Sequence, residues 1–70
     1  MQQLREEYLQ RTDGDYAAAA VELAYDLMLG DPGEFKAGYT LENAVIAAEE
    51  VFPAMSRFDI EEGLGRKTAA

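Results

Sequence analysis

Tyr16-Ala17-Ala18-Ala19-Ala20-Val21-Glu22-Leu23-Ala24-Tyr25-Asp26-Leu27-Met28-Leu29 decides the fold, because its residue types admit one local structure. Alanine, leucine, methionine and glutamate dominate it, Val21 is its one β-branched residue, and it holds neither glycine nor proline, so it is a helix of nearly four turns. Thr12 or Asp13 is placed to cap its start, Asp15 to sit in its first turn where the helix dipole favours an anion, and Gly30 followed by Pro32 to stop it. Projected at about 100° per residue, Asp15, Glu22 and Asp26 share one narrow polar stripe. Tyr16, Val21, Leu23, Tyr25, Leu27 and Met28 spread over most of the remainder, and Ala17, Ala20 and Ala24 stand opposite the stripe. Such a helix is central, or it is shared with another chain. The small side chains let a neighbouring helix approach, so it reads as the spine of a small bundle.

Working outward, the chain before the spine offers one short helix over residues 2–11, with Leu4 and Tyr8 inward and Glu7 preceding Arg11 by four residues in the favourable order. Thr12-Asp13-Gly14-Asp15 is a tight turn. Its two aspartates do not make a calcium loop, which needs further oxygen ligands and a terminal glutamate where alanines follow. After the spine, residues 30–38 form a turn-rich connector whose glycines match neither phosphate-loop spacing, and Phe35 and Tyr39 are expected to fold back on the core. Thr40 caps a third helix whose apolar face is Leu41, Val45, Ala48, Phe52 and, past Pro53, Met55, joined by Ala44 and Val51. Asp59-Ile60-Glu61-Glu62 looks like a capping box for a last helical turn that Gly63 and Gly65 end. The expected fold is all-α: a three-helix bundle with helices at about 2–11, 15–29 and 41–52 and a C-terminal turn at about 58–63. Residues 1–65 form the single domain, and 66–70 a flexible tail.

Composition narrows the function. The chain has 70 residues, 14 acids against six bases for a net charge of −8, no cysteine and no histidine. No disulfide or thiolate metal site can staple so small a domain, and its 49% hydrophobic content is more than one bundle readily hides, which favours a homodimer or an obligate partner. Direct nucleic-acid or anionic-membrane binding needs clustered bases that are lacking. No signal-like or bilayer-spanning run is present, so the expected location is cytoplasmic. Without histidine or cysteine, with Ser56 the one serine and with neighbouring acids such as Glu49 and Glu50 pointing about 100° apart, catalysis has no constellation to work with. The expectation is no enzyme, no cofactor and no metal.

Among the acids with no local task at a helix start or in the Glu7–Arg11 pair, Glu22, Asp26, Glu49 and Glu50 are placed against local stability. Glu22 and Asp26 repel at i,i+4, typically by about 0.2–0.5 kcal/mol, and three of the four sit toward helix C-termini, where the dipole opposes anions. They are either solvated surface or contacts for cations on a partner. Ile46 sharpens the second option, because it projects away from the apolar face and is ringed by Glu42, Asn43, Glu49 and Glu50. The candidate partner-binding residues are therefore Ile46, Glu42, Glu49, Glu50, Glu22, Asp26 and Tyr25.

In acidity, size and helix content the chain is similar to acyl carrier proteins, whose prosthetic group sits on a serine in Asp-Ser-Leu at the start of the second helix. Here Ser56 stands late, in Met55-Ser56-Arg57, and that departure removes the chemistry. A helix-turn-helix regulator fits less well still, since its recognition helix would carry Glu42, Glu49 and Glu50 where bases or amides are needed. The leading expectation is a non-enzymatic acidic module, an inhibitor or adaptor docking on a basic surface of a partner protein. One concrete version is mimicry of nucleic acid by small mobile-element counter-defence proteins. The alternative is a structural or assembly subunit, or a homodimer, that buries its own apolar faces.

Overall fold

The structure, a computed structural model, describes residues 2–30 and 38–69. They form four helices: α1 (Gln2–Arg11), α2 (Tyr16–Leu29), α3 (Leu41–Val51) and α4 (Arg57–Ala69). The all-helical expectation holds, but the count is four, not three. The second helix is the spine: α2 packs against each of the other three. Its Ala19, Ala20, Leu23 and Ala24 are buried, facing a core completed by Ala44, Val45, Ala48 and Phe52 from the α3 side and Ile60 and Leu64 from α4. Alanines on both α2 and α3 let those two backbones come close, with the larger side chains closing the ends. Ala17, expected in the packing row, is exposed instead.

The helix ends show which side chains do the capping. Asp15, not Thr12 or Asp13, is the N-cap of α2, accepting from the Ala18 N–H at 3.1 Å. Thr12 instead donates its hydroxyl to Tyr8 O at 2.9 Å, while Asp13 and Gly14 take left-handed φ values of 60° and 83° to reverse the chain. The Gly14 N–H reaches back to Leu9 O at 2.7 Å and satisfies an orphan carbonyl of α1. Gly30, also left-handed, closes α2 as expected, and Thr40 caps α3 by accepting from the Asn43 N–H. Phe52 ends α3 just before Pro53, where an extended residue is favoured. Its ring meets Tyr16 edge-on at 5.0 Å, and the Ala54 N–H donates to the Tyr16 hydroxyl, tying the start of α2 to the α3–α4 link.

The largest correction is α4. The short turn expected at 58–63 is a 13-residue helix that runs through Gly63 and Gly65 and through positions 66–69, read from sequence as tail. Its cap is Ser56, whose hydroxyl accepts from the Asp59 N–H at 3.1 Å; Asp59 sits in the first turn and is not the cap. Gly63 does not stop the helix because its missing side chain is what lets α4 lie on α2: a Cβ there would meet Val21 Cγ2 at 2.5 Å. Leu64, 1% exposed, and the contact of Lys67 with Glu22 then carry the helix onward. Two further expectations concern apolar side chains. Leu41 and Tyr39 are each half exposed and do not enter the core, and Phe35 and Pro32 lie outside the described residues.

The two glycines should respond with opposite sign. At Gly65 a Cβ meets nothing within 4 Å, so Gly65→Ala is expected to stabilise by about 0.5–1 kcal/mol through helix propensity. Gly63→Ala gains the same propensity but forces a β-branched neighbour with one preferred rotamer to move, an overpacking cost of about 1–3 kcal/mol that makes the net effect a loss. Urea midpoints decide it. Val21→Ala added to Gly63→Ala should recover part of that loss, and equal stabilisation by both alanines would contradict the packing of α4 on α2.

Candidate functional site

Each of the four carboxylates placed against local stability can now be followed to its surroundings. Asp26 accepts the Tyr8 hydroxyl at 2.6 Å and Arg11 Nη1 at 3.0 Å on the same oxygen, Oδ2. The Arg11 guanidinium also lies 4.7 Å from the centre of the Tyr8 ring, so base, phenol and acid make one cluster between α1 and α2. Glu22 receives Lys67 Nζ at 2.8 Å, and the same ammonium sits 4.8 Å over the ring of Tyr25. Glu49, near the end of α3, faces Arg57 of α4 at 3.8 Å. Each helix end there carries the charge its own dipole disfavours, and the pair offsets both. Arg5 completes the pattern by donating from Nε to Val51 O at 2.9 Å, placing a cation at the C-terminal carbonyls of α3.

Three of these four acids thus have a base from elsewhere on the chain. Glu50 is exposed and meets none of the described bases. The candidate residues fall into two groups. Glu22, Asp26 and Tyr25 are engaged on α2 by Lys67, Arg11 and Tyr8. On the outer side of α3, Ile46 is partly exposed, Glu42, Asn43 and Glu50 are exposed, and Glu49 is partly covered beside Arg57.

Next to that outer face the helices leave a groove of about 200 Å³, a feature that sequence periodicity does not reveal. Leu23 and Leu27 of α2 lie along it with Leu4 of α1, Tyr39 contributes a wall, and Ala47 and Val51 line the α3 side. Glu50, on the same helix, puts a carboxylate at its margin. Tyr39, just before α3, donates its N–H to Leu27 O at 2.7 Å, which holds the tyrosine over the end of α2. An apolar depression beside an isoleucine, edged by acids, can take an apolar side chain from a cationic partner. It offers no convergent nucleophile or base, and among the described residues no group of three or more acids is disposed to hold a metal. None of the described helices is long and apolar enough to cross a membrane.

Burial of Tyr8, reinforced by its hydrogen bond to Asp26, pushes the phenol up from 10.0 to about 12. Because the folded state holds this proton more tightly than the unfolded chain, the stability it supplies is complete below pH 10 and is lost as pH rises toward 12. Lys67, raised chiefly by its hydrogen bond to Glu22, acts in the same direction. Wild-type protein should therefore show falling urea midpoints between about pH 10 and 12, and Tyr8→Phe should flatten that fall while lowering stability at pH 8. Absorbance at the phenolate band checks it: the wild type minus Tyr8→Phe difference should appear near pH 12, and its appearance near pH 10 would remove the cluster.

Comparison of the chain with protein-family models, with curated proteins and with solved structures finds no match.

Proposed function

We propose that the protein is a non-enzymatic binding module, an inhibitor or adaptor, that meets a basic protein surface with the outer face of α3. The observation that carries this is the contrast between the two groups of acids. Those on α2 are matched by bases of the same chain, whereas on α3 Glu42 and Glu50 stand exposed around a partly exposed Ile46, alongside an apolar groove. Ile46 is the anchor, the groove accepts an apolar side chain, and Glu42 and Glu50 supply the polar rim that selects cations. A surface built to hold phosphates has the complementary chemistry, so blocking a nucleic-acid-binding protein is the narrower form of the reading. The net charge of −8 would speed such an encounter.

The test uses immobilised full-length chain in host lysate at about 50 mM and about 500 mM salt, where acidic docking is screened. Wild type should retain a basic protein at low salt and release it at high salt. Ile46→Asp, and separately Glu42→Gln with Glu50→Gln, should weaken retention by roughly 10-fold or more, each with unchanged helicity. Glu22→Gln should not. Retention that survives Ile46→Asp, or that depends on Glu22 instead, would sink the assignment to α3.

A further inference from the structure

Twice this chain settles an acid beside a tyrosine in the same way. Arg11 pairs with Asp26 at 3.0 Å while its guanidinium lies 4.7 Å from the centre of the Tyr8 ring. Lys67 pairs with Glu22 at 2.8 Å while its ammonium sits 4.8 Å over the Tyr25 ring. In each case one base neutralises the carboxylate and covers the aromatic ring. The groove of about 200 Å³ holds a third such couple, with Glu50 at its margin and Tyr39 as its wall, and here no described base supplies the cation. Glu50 is exposed and Tyr39 half exposed, so both are open to a visitor.

We infer that this groove seats one arginine side chain of the basic partner, its methylene stem against Leu4, Leu23 and Leu27 and its guanidinium on Glu50 and the Tyr39 ring. The inference rests on the reading of the α3 face given above and names the residue that enters it, so that the apolar group and the cation belong to one side chain. Size limits the occupant: a cavity of about 150 Å³ holds one benzene ring, and small-molecule clefts begin at about 300 Å³. Charge then selects among side chains. A leucine or phenylalanine would fill the apolar floor but strip water from the Glu50 carboxylate with nothing to replace it. A long basic side chain buries its stem and keeps its charged head at the margin, where the carboxylate stands. Of the two bases, arginine has the flat head that gives up water more readily, stacks on a tyrosine and donates two hydrogen bonds to a carboxylate. Ile46, one turn before Glu50 on α3, then meets the partner's surface beside the inserted residue.

Nuclear magnetic resonance of the full-length chain tests this, with arginine blocked at both ends as the probe, titrated through the millimolar range at about 150 mM salt. Signals of Leu23, Leu27 and Tyr39 should shift and saturate. Blocked citrulline, the neutral analogue, and blocked leucine should each bind at least about 10-fold more weakly. Glu50→Gln should weaken arginine to a similar extent, whereas Glu42→Gln should not, and Tyr39→Leu should erase its preference over blocked lysine. Absence of shifts in the groove overturns the proposal. So does leucine binding as tightly as arginine, or indifference to Glu50→Gln. Shifts that require Lys36→Gln, at a base outside the described residues, would mean that the chain's own lysine fills the groove, and overturn it as well. Each of these outcomes strikes the arginine seat alone; the binding role of the α3 face fails separately, when retention of a basic protein from lysate ignores Ile46→Asp.

Discussion

Phe52→Ala is expected to destabilise the fold by about 3–5 kcal/mol, the range for removing a fully buried aromatic ring. Phe52 is 0% exposed, the largest of the fully buried side chains among the described residues, and its ring is gripped edge-on by Tyr16 at 5.0 Å with an interplanar angle of 89°. Truncation opens a cavity where α2, α3 and the α3–α4 link meet. The surroundings are poorly able to close it, since the Phe52 N–H is tied to Ala48 O at 2.8 Å and Pro53 follows. A domain of this size holds only about 4–10 kcal/mol in all, so the variant should be substantially unfolded at 37 °C. Urea titration followed by helix ellipticity measures the loss, with Phe52→Leu as the milder control at about 1–1.5 kcal/mol. A loss under about 1 kcal/mol for the alanine would mean that the ring is not where the core is built.

Gly38→Ala should be nearly as damaging, for a different reason. A Cβ at residue 38 would stand 1.8 Å from Met28 O and 2.7 Å from Met28 C, with Gly30 N at 3.1 Å. All three are backbone atoms at the end of α2, so no side chain can swing aside. Either the last turn of α2 deforms or the returning chain lifts off and stretches the 2.7 Å bond from the Tyr39 N–H to Leu27 O. Overpacking and a loosened hydrogen bond together come to about 2–4 kcal/mol. Amide exchange at Tyr39 should accelerate by roughly 10-fold or more, the equivalent of the lost bond. Unchanged exchange together with an unchanged urea midpoint would refute the close approach. Because Tyr39 forms a wall of the α3-side groove, the same variant should also weaken any partner seated there.

The spine was legible because a run of strong helix formers with polar residues on one stripe has a single solution, and the structure places it centrally. Thr40 and Gly30 were legible because capping is a local act. Gly63 was not. A glycine is locally a helix breaker, and only the position of Val21, forty-two residues earlier, turns it into a packing residue. Ser56 was overlooked for a similar reason, with Asp59-Ile60-Glu61-Glu62 offering a competing cap a few residues on. The carboxylates make the same point about the candidate site. Subtracting local roles left Glu22, Asp26 and Glu49 without a purpose, yet their bases stand far along the chain or across a helix boundary: Lys67, Arg11 and Arg57. Sequence spacing reports neighbours on one helix, and it is silent about which base a fold will bring to which acid. The groove beside Ile46 was equally hidden, because it needed three helices to exist.

The engagement of the bases has one more consequence. Arg5, Arg11, Arg57, Arg66 and Lys67 all have acceptors on their own chain, while the surplus of eight negative charges has no such match. The molecule's net charge hastens the arrival of a cationic visitor. Beyond a Debye length that pull is screened, so orientation is left to the last few ångströms, where the shape of the surface acts together with the exposed carboxylates of α3.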